Sequence, residues 1–311
     1  LSYEVFLANS NHRDALLVAQ SAVRHMPSSR VWRLRVAQVA DWSNQPALAL
    51  EQWHALARAS GAAQDWAEVE RRAPQVFATS RWIEALEFAQ RRDPHDLKRL
   101  RTLVEAYEQQ GEPERAITLL QYDGGATTRQ PRLELLAQLA QRSGRLDLQR
   151  QTLRALINEF PAGLTQHTAL AQLEFARGDT AAAFAVLKRR AAHGAPIAAD
   201  KPEGYEFWHS YAQLARLLGY TAEARQAYAR MCTSPLAQRD EYADYVAVLL
   251  SDPADHLRAA AISEEAYLRF GDPYFASQAL YLSQRYGTTA QTRALLQRLA
   301  AHSSAFESDA A

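Results

Sequence analysis

Apolar residues recur along the chain at the spacing of an α-helix. Trp208, Tyr211 and Ala215 lie on one apolar stripe, and after a Gly-Tyr-Thr break a second stripe runs through Ala224 and Tyr228. This period of about 3.6, without long alternating stretches, predicts an all-α chain. Two helices joined by a tight turn bury such stripes against each other, but one pair cannot close a core. Another element must cover the remaining apolar face.

The sequence repeats at a nearly fixed interval. Gly111, Gly144 and Gly178 recur at about 34 residues, and each stands between two helical runs. Gly219 extends the series after a longer gap. Prolines, which helix interiors exclude, mark the boundaries between units. The prolines that keep this register, equally spaced at close to two such intervals, are Pro27, Pro94 and Pro161. We expect about eight or nine helix pairs in all.

Small and large residues alternate in a regular way within each pair. A small residue in the second helix lets the two helices approach closely, and a large apolar residue follows four positions later on the same face. The small residues are Ala116, Ala183 and Ala224, and the large ones are Leu120, Leu187 and Tyr228. In one unit, Gln149 stands where the alanine is expected. The glycine between the helices is expected to take a left-handed conformation.

This arrangement resembles the tetratricopeptide repeat, whose pattern is W-x2-L-G-x2-Y, then A-x3-F, then P. The stretch from Trp208 to Pro235 matches this pattern as Trp208-x2-Tyr211-Ala212-x2-Ala215, then Ala224-x3-Tyr228, then Pro235. The resemblance implies a right-handed tetratricopeptide-like α-solenoid, in which stacked pairs bury one core and present a concave groove. It is nearly silent on function, since such repeats are general binding scaffolds.

The quality of the repeat divides the chain into segments. An insertion rich in proline, glycine and alanine accounts for the longer gap before Gly219, and residues 61–80 fit the register least well. The predicted segments are degenerate repeats in 1–93, regular repeats in 94–193, an inserted loop in 194–204, a regular repeat in 205–235, and degenerate repeats with a tail in 236–311.

Composition narrows the classes of partner. Thirty-five basic residues balance thirty-five acidic ones. This balance argues against a large basic surface that binds nucleic acid or an anionic membrane. The single cysteine, Cys232, excludes an internal disulfide framework, and no apolar run is long enough to span a bilayer. The amino terminus has neither a signal peptide nor an initiator methionine, so we expect a region excised from a longer protein.

The sequence contains no recognisable catalytic or metal-binding motif. Its nine histidines are dispersed, and HExxH, paired CxxC, EF-hand, GxGxxG and Walker patterns are absent. We therefore predict no catalytic residue, no metal and no cofactor. The run DGGATT at 123–128 superficially suggests a phosphate cradle, but it lacks a lysine and a preceding strand. We interpret it as an interhelical loop.

Two further sets of residues have both a structural and a functional interpretation. Asp65, Glu68 and Glu70 could form a carboxylate cluster, but a solvated face or the charge preference of a helix start explains them better. The six tryptophans could stack on sugar rings. Their helical spacing favours core packing for most of them.

One segment carries a narrower resemblance. The residues that carry it are Trp42, Ser43, Pro46, Ala49, Leu50 and Trp53. They resemble the motif W-S-G-x-P-x2-A-L-x2-W in the periplasmic repeat region of bacterial exopolysaccharide export proteins of the Pel type, with Asn44 in place of the usual small residue. The resemblance implies a non-enzymatic periplasmic scaffold. Its partner would be a polysaccharide deacetylase and hydrolase, and it would help direct polymer to an outer-membrane porin.

In repeats of this kind the first helix of each pair lines the concave groove. The groove positions predicted here are Lys98, Arg101, Glu105, Glu134, Gln138, Thr168, Gln172, His209, Gln213 and Arg216. Arg101 and Glu105 occupy the places where carboxylate-clamp members use lysine and asparagine, which argues against that mode. The alternatives are a cytosolic peptide-binding adaptor, a glycan-cleaving enzyme that lacks its catalytic domain here, and direct binding of polymer in the groove.

Overall fold

The structure is a computed structural model that describes residues 2–122, 125–161, 163–193 and 195–309. Within these ranges the chain forms eighteen α-helices and no strand. The helices are α1 (Ser2–Ala8), α2 (His12–His25), α3 (Arg30–Trp42), α4 (Pro46–Ser60), α5 (Ala63–Arg72), α6 (Thr79–Arg92), α7 (Leu97–Gln109), α8 (Pro113–Gln121), α9 (Ala126–Arg142), α10 (Leu146–Glu159), α11 (Leu164–Ala176), α12 (Thr180–Ala192), α13 (Pro202–Leu217), α14 (Thr221–Cys232), α15 (Arg239–Leu249), α16 (His256–Phe270), α17 (Pro273–Tyr286) and α18 (Thr289–Asp309).

The chain divides into two compact units, residues 1–149 and residues 150–311. In unit 1, each helix from α1 to α9 packs against the next one in sequence. In unit 2, the helices from α11 to α18 pack in the same way, and α11 also contacts α13. The division falls within α10 and coincides with none of the segment boundaries predicted above.

A residue with left-handed backbone closes the turn inside each regular pair. Gly111, Gly144, Gly178 and Gly219 have φ values of 78°, 67°, 86° and 75°, which confirms the predicted conformation. The residue after each of them donates its backbone N–H to a carbonyl five positions back, as Glu112 does to Tyr107 at 2.9 Å. This is the bond of the Schellman motif, which satisfies a carbonyl at the end of the first helix.

The same turn continues into the amino-terminal third of the chain without glycine. Ser10, Asn44 and Phe77 have φ values of 55°, 54° and 55°. They lie one repeat length apart, with Gly111 a further repeat length beyond Phe77. Each is followed by the same five-residue backbone bond, as in Gln45 to Ala40 at 2.8 Å. Asparagine tolerates this conformation better than most residues, so Asn44 is an apt replacement for the glycine of the motif.

The stretch that fits the repeat register least well holds the first helix of a pair and the turn that leads to the second. Residues 61–80 include α5 and a 3-10 turn at Ala73–Val76, which leads through Phe77 into α6. Pro74 lies at the start of that 3-10 turn and has no backbone N–H with which to continue the α-helical ladder. Counting α5 with α6, the described helices form nine consecutive pairs, the upper end of the predicted number.

The small residues of the second helices lie in the core. Ala116, Ala183 and Ala224 have no exposed surface. Leu187, four positions after Ala183, and Tyr228, four positions after Ala224, are also buried. Burial of a side chain as large as leucine stabilises the fold by roughly 1.5–3 kcal/mol. The predicted spacing of small and large positions is therefore the spacing of helix packing.

Arginine links neighbouring repeats. Arg30 donates two hydrogen bonds to Asp65, 35 residues later, at 2.5 and 2.8 Å. In unit 2, Arg239 reaches Asp272, 33 residues away, at 2.6 Å. Comparable pairs recur at about one repeat length, because residues at equivalent positions of stacked pairs are neighbours in space. The planar guanidinium suits such forked contacts with carboxylates.

These ion pairs correct the interpretation of the acidic residues in α5. Asp65 is only 1% exposed and also accepts a hydrogen bond from Ser60 at 2.6 Å. Glu68 pairs with Arg71 and Arg72, and Glu70 lies 3.5 Å from Arg99. Asp65 lies in the first turn of α5, in agreement with the predicted charge preference of a helix start, whereas the predicted solvated face is wrong for this residue. This carboxylate is buried because Arg30 and Ser60 replace its water.

Most tryptophans pack as expected. Trp66 and Trp208 are buried, and Trp32, Trp53 and Trp82 are partly buried. Trp42, at the end of α3, is 56% exposed and touches only the ring of His12 among the aromatic side chains described. The export-like motif therefore contains one exposed and one packed tryptophan.

The two predicted loops differ in how much of them is described. Between α12 and α13, Arg190 donates to the carbonyls of His193 and Ala195, and the Trp208 indole donates to Ile197 at 3.1 Å. The predicted insertion thus ends before Pro202, where α13 begins. In the run 123–128, the first two residues lie outside the described part of the chain, and from Ala126 onward the run belongs to α9.

Candidate functional site

The predicted groove residues all lie on the first helices of their pairs. In unit 1 they lie on α7 (Lys98, Arg101, Glu105) and on α9 (Glu134, Gln138), and in unit 2 on α11 (Thr168, Gln172) and on α13 (His209, Gln213, Arg216). Nine of the ten are exposed or partly exposed. Their role in binding stays a prediction.

Thr168 is the exception, since its side chain is only 4% exposed. Its hydroxyl donates to the carbonyl of Leu164 in the preceding turn at 3.2 Å, so the polar group is satisfied without water. The helix that carries it is covered on several sides, because α11 packs against both α12 and α13. The expectation that Thr168 faces an open groove is wrong.

In unit 1 the predicted residues form a polar surface of mixed sign. Lys98, Arg101 and Glu105 are exposed on α7, and Gln130 donates to Glu134 at 2.9 Å on α9. Both helices therefore present polar side chains to solvent at the predicted positions.

In unit 2 the predicted residues border a pocket of about 290 Å³ between α11 and α13. The residues that line it are Ala171, Gln172, Phe175, His209, Ser210, Gln213, Leu214 and Leu217. Phe175 and Leu217 are 47% and 62% exposed. The pocket therefore combines apolar walls with two side-chain amides, those of Gln172 and Gln213.

Acidic residues of the next first helix, α15, fix the polar side chains beside this pocket. His209 Nδ1 lies 3.3 Å from the Glu241 carboxylate, and Gln213 Nε2 lies 2.9 Å from His209 Nε2. A neutral imidazole with its proton on Nδ1 satisfies both contacts, since Nδ1 then donates and Nε2 accepts. Glu241 is itself held by the backbone N–H of Gln238 at 2.8 Å.

Arg216 is likewise paired. Its guanidinium lies 3.7 Å from Asp244, which also accepts a hydrogen bond from the Tyr228 hydroxyl at 3.2 Å. Burial, followed by the charge of Asp244, raises the pKa of Tyr228, so the hydroxyl remains a donor at neutral pH. The side chains next to the pocket are thus held in place by the two carboxylates of α15.

Most of the polar residues that line this pocket were predicted as groove positions, whereas the apolar ones were not. Gln172, His209 and Gln213 were predicted, whereas Phe175 and Leu217 were not. The two apolar side chains lie at the carboxyl ends of α11 and α13, and their spacing alone does not separate them from core residues. No signal in the sequence marks them, because an apolar residue in the last turn of a helix keeps the core spacing whether or not a neighbour covers it.

The sequence profile of the tetratricopeptide repeat family matches residues 155–311, just over half of the chain. The chain therefore belongs to the tetratricopeptide repeat family, and the predicted all-α solenoid of helix pairs is confirmed. Repeats of this family are scaffolds for protein–protein interactions. No curated protein matches the sequence.

Several solved structures are similar to this chain at low sequence identity. A tetratricopeptide repeat protein from Parabacteroides merdae is 12% identical over 80% of this chain and 96% of that chain, with a TM-score of 0.33. YrrB, a TPR protein with an unusual peptide-binding site, is 12% identical over 56% of this chain and 91% of that chain, with a TM-score of 0.33. The structure of Naa15/Naa10 bound to HypK-THB is 16% identical over 96% of this chain and 52% of that chain, with a TM-score of 0.40. Likeness at this level says nothing about what the present chain binds.

The residues that the structure describes include neither a candidate membrane-spanning helix nor a candidate metal site. No helix among them is both long and apolar enough to cross a bilayer. No group of three or more histidine, cysteine, aspartate or glutamate side chains in the same residues could hold a metal ion.

Proposed function

We propose that the chain is a scaffold that binds an extended segment of a protein partner through the α11–α13 pocket. The observation that carries this proposal is the exposure of Phe175 and Leu217 beside the amides of Gln172 and Gln213. Apolar walls suit one apolar side chain of the partner, and the amides suit the peptide groups on either side of it. The partner therefore presents a side chain of leucine or phenylalanine size in a locally extended segment.

The charges near the pocket make this interaction weakly dependent on salt. Arg216 is already paired with Asp244, and the His209 ring is held by Glu241, so the partner does not need to neutralise a cation at the pocket. Binding then rests on apolar burial and neutral hydrogen bonds, which ionic strength screens little.

The partner that we propose is a periplasmic polysaccharide deacetylase and hydrolase, PelA-like, held by a PelB-like export protein of which this chain is the repeat region. The motif around Trp42 and Trp53 supports this assignment. In this role the chain is non-enzymatic, works in the periplasm, and helps direct polymer towards an outer-membrane porin.

The test measures the affinity of the purified chain for the purified deacetylase by calorimetry. Truncation of both Phe175 and Leu217 to alanine should weaken binding at least tenfold, since apolar anchors carry much of an interface's energy. Leu257→Ala is the matched control, because Leu257 is 45% exposed in the same unit but lies on α16, outside the pocket. Circular dichroism checks that each variant is folded.

Each result of this experiment decides a different part of the proposal. If the deacetylase binds the Phe175 and Leu217 double variant as tightly as it binds the Leu257→Ala control and the wild type, the pocket is not its binding site. A folded chain that does not bind the deacetylase contradicts the export assignment. In that case, binding of a cytosolic peptide segment through the same pocket would favour the adaptor alternative.

A further inference from the structure

A second pocket, of about 350 Å³, lies in unit 1 among α6, α7, α8 and α9. Pro94, Leu103, Leu119, Tyr107 and Tyr122 supply most of its walls. Leu103 is fully buried, whereas Tyr122 is 68% exposed at the end of α8. The pocket is near the lower limit of about 300–1,000 Å³ for small-ligand sites, so it suits one aromatic side chain better than a large ligand.

The pocket contains a buried acceptor without a donor. Gln90 lines it and is only 5% exposed. Its Nε2 donates to the carbonyl of Pro94 at 3.1 Å, which fixes the orientation of the amide. Its Oε1 is buried and accepts no hydrogen bond from the residues that the structure describes. Since an unpaired buried acceptor is costly, a ligand that brings a donor gains affinity.

The charged groups in the pocket favour a neutral donor. Arg91 and Arg132 both line it, and Glu87 is the one carboxylate on its described wall. That carboxylate already accepts the Tyr107 hydroxyl at 2.5 Å and lies 3.7 Å from Arg91. A cationic ligand would meet an excess of positive charge, and an anionic ligand would lack the donor that Gln90 Oε1 needs.

Tyr107 does not supply the missing donor. Burial, followed by its hydrogen bond to Glu87, raises the pKa of Tyr107, so its hydroxyl stays protonated and remains committed to Glu87. The amide oxygen of Gln90 is therefore left for a group from outside the chain.

We propose that this pocket binds a tyrosine or tryptophan side chain of a partner protein, whose neutral O–H or N–H donates to Gln90 Oε1. The ring packs between the leucine walls and the exposed face of Tyr122, as aromatic pairs prefer at centroid separations of about 4.5–7 Å. This site lies in unit 1 and does not depend on the α11–α13 pocket, so the two proposals fail independently.

The chain contains a natural control for the role of Gln90. A pocket of about 250 Å³ in the same unit is lined by Gln20, Val23, Arg24 and Val36, among others. These residues lie two repeat lengths before Glu87, Gln90, Arg91 and Leu103, respectively, so the two pockets occupy equivalent places in the repeat. The position of Gln90 is taken there by Val23, whose side chain offers no acceptor. Gln20 and Gln52 also line this pocket, but Gln52 Oε1 accepts a hydrogen bond from Arg33 at 3.0 Å and Gln20 is partly exposed, so neither is a buried acceptor without a donor. That pocket should therefore not prefer a ligand with a donor.

The test is a methyl-detected NMR titration of the full chain with blocked amino acids. N-acetyl-tyrosinamide and N-acetyl-tryptophanamide should give saturable shifts at the methyls of Leu103 and Leu119. N-acetyl-phenylalaninamide, which lacks the donor, should bind roughly tenfold more weakly than the tyrosine compound. N-acetyl-argininamide should bind least, and the methyls of Val36 should show no preference for the donor.

Gln90→Met separates the hydrogen bond from the fit of the ring. The variant should keep the phenylalanine compound's affinity and lose the preference for tyrosine, while its thermal unfolding shows whether it is folded. Absence of saturable shifts in the wild type, equal affinity for tyrosine and phenylalanine compounds, or tightest binding of the arginine compound would each overturn the proposal. Tighter binding of free tyrosine than of the blocked compound would overturn the assignment to a protein partner. If Gln90→Met does not fold, the comparison of compounds on the wild type decides alone.

Discussion

Phe77 adopts a left-handed backbone conformation, which is unfavourable for residues other than glycine. Its replacement tests the repeat register directly. The residue has a φ of 55° and is 92% exposed. A left-handed residue other than glycine costs roughly 1–2 kcal/mol. Glycine removes that cost but loses about 0.5–1 kcal/mol through its greater freedom in the unfolded chain. We therefore expect Phe77→Gly to stabilise the α5–α6 pair by about 0.5–1 kcal/mol.

Phe77→Ala separates the backbone from the side chain. Alanine keeps the left-handed cost, and the exposed ring contributes little burial, so this variant should differ from the wild type by less than about 0.5 kcal/mol. Hydrogen exchange of the amides in α5 and α6 gives the local free energy of opening without assuming that the whole array unfolds at once. Phe77→Gly should slow this exchange roughly two- to fivefold.

Faster exchange in Phe77→Gly than in Phe77→Ala would contradict this prediction. That result would mean that the turn does not require a left-handed residue. Asn44→Gly provides a second comparison at the equivalent turn, where φ is 54°. Since asparagine tolerates this conformation, its replacement should give a smaller gain than that of Phe77.

Three further predictions concern stability in urea. Ala224→Leu should destabilise unit 2 by roughly 1–3 kcal/mol, because Ala224 is fully buried against α13 and the larger side chain would overpack the core. The control Ala247→Leu, at an exposed position of α15, should change the stability little. Glu174→Ala should cost about 1–3 kcal/mol, since Glu174 is 1% exposed and accepts hydrogen bonds from Arg150 and Arg154; a neutral effect would show that the buried carboxylate is not needed. The Arg30 guanidinium, with help from Ser60, lowers the pKa of the Asp65 carboxyl from its ordinary 3.8, so the contribution of Asp65 to stability is complete above that value and is lost as the pH falls through the lowered pKa. Asp65→Asn should therefore be less stable than the wild type at neutral pH but lose less stability below about pH 4. An unchanged dependence of stability on acid pH would contradict this prediction.

The spacing of glycines and alanines predicted the fold because both reflect local requirements of the backbone and of helix packing. The register was lost before Gly111 because Ser10, Asn44 and Phe77 adopt the left-handed turn without glycine. The backbone bond that defines this turn joins residues five apart and leaves no side-chain signature. The turn from α5 to α6, which lies within residues 61–80, was hidden for the same reason.

The candidate site was predicted less completely than the fold. Polar positions on α13 were found because the face opposite the apolar stripe can be read from helical spacing. Phe175 and Leu217 were not found, since the exposure of an apolar residue depends on which neighbour covers it. Thr168 was misplaced for the converse reason, because a hydroxyl that bonds within its own helix can be buried.

The most direct test of the account measures the energetic coupling between Arg30 and Asp65. The two residues are 35 positions apart, and their side chains meet only if consecutive helix pairs stack in the register described. A double-mutant cycle with Arg30→Met and Asp65→Asn gives their interaction energy from urea unfolding. Because the Arg30 side chain is 49% exposed, we predict a coupling of about 1 kcal/mol. Additivity within about 0.3 kcal/mol, as for distant sites, would contradict the stacking of the repeats.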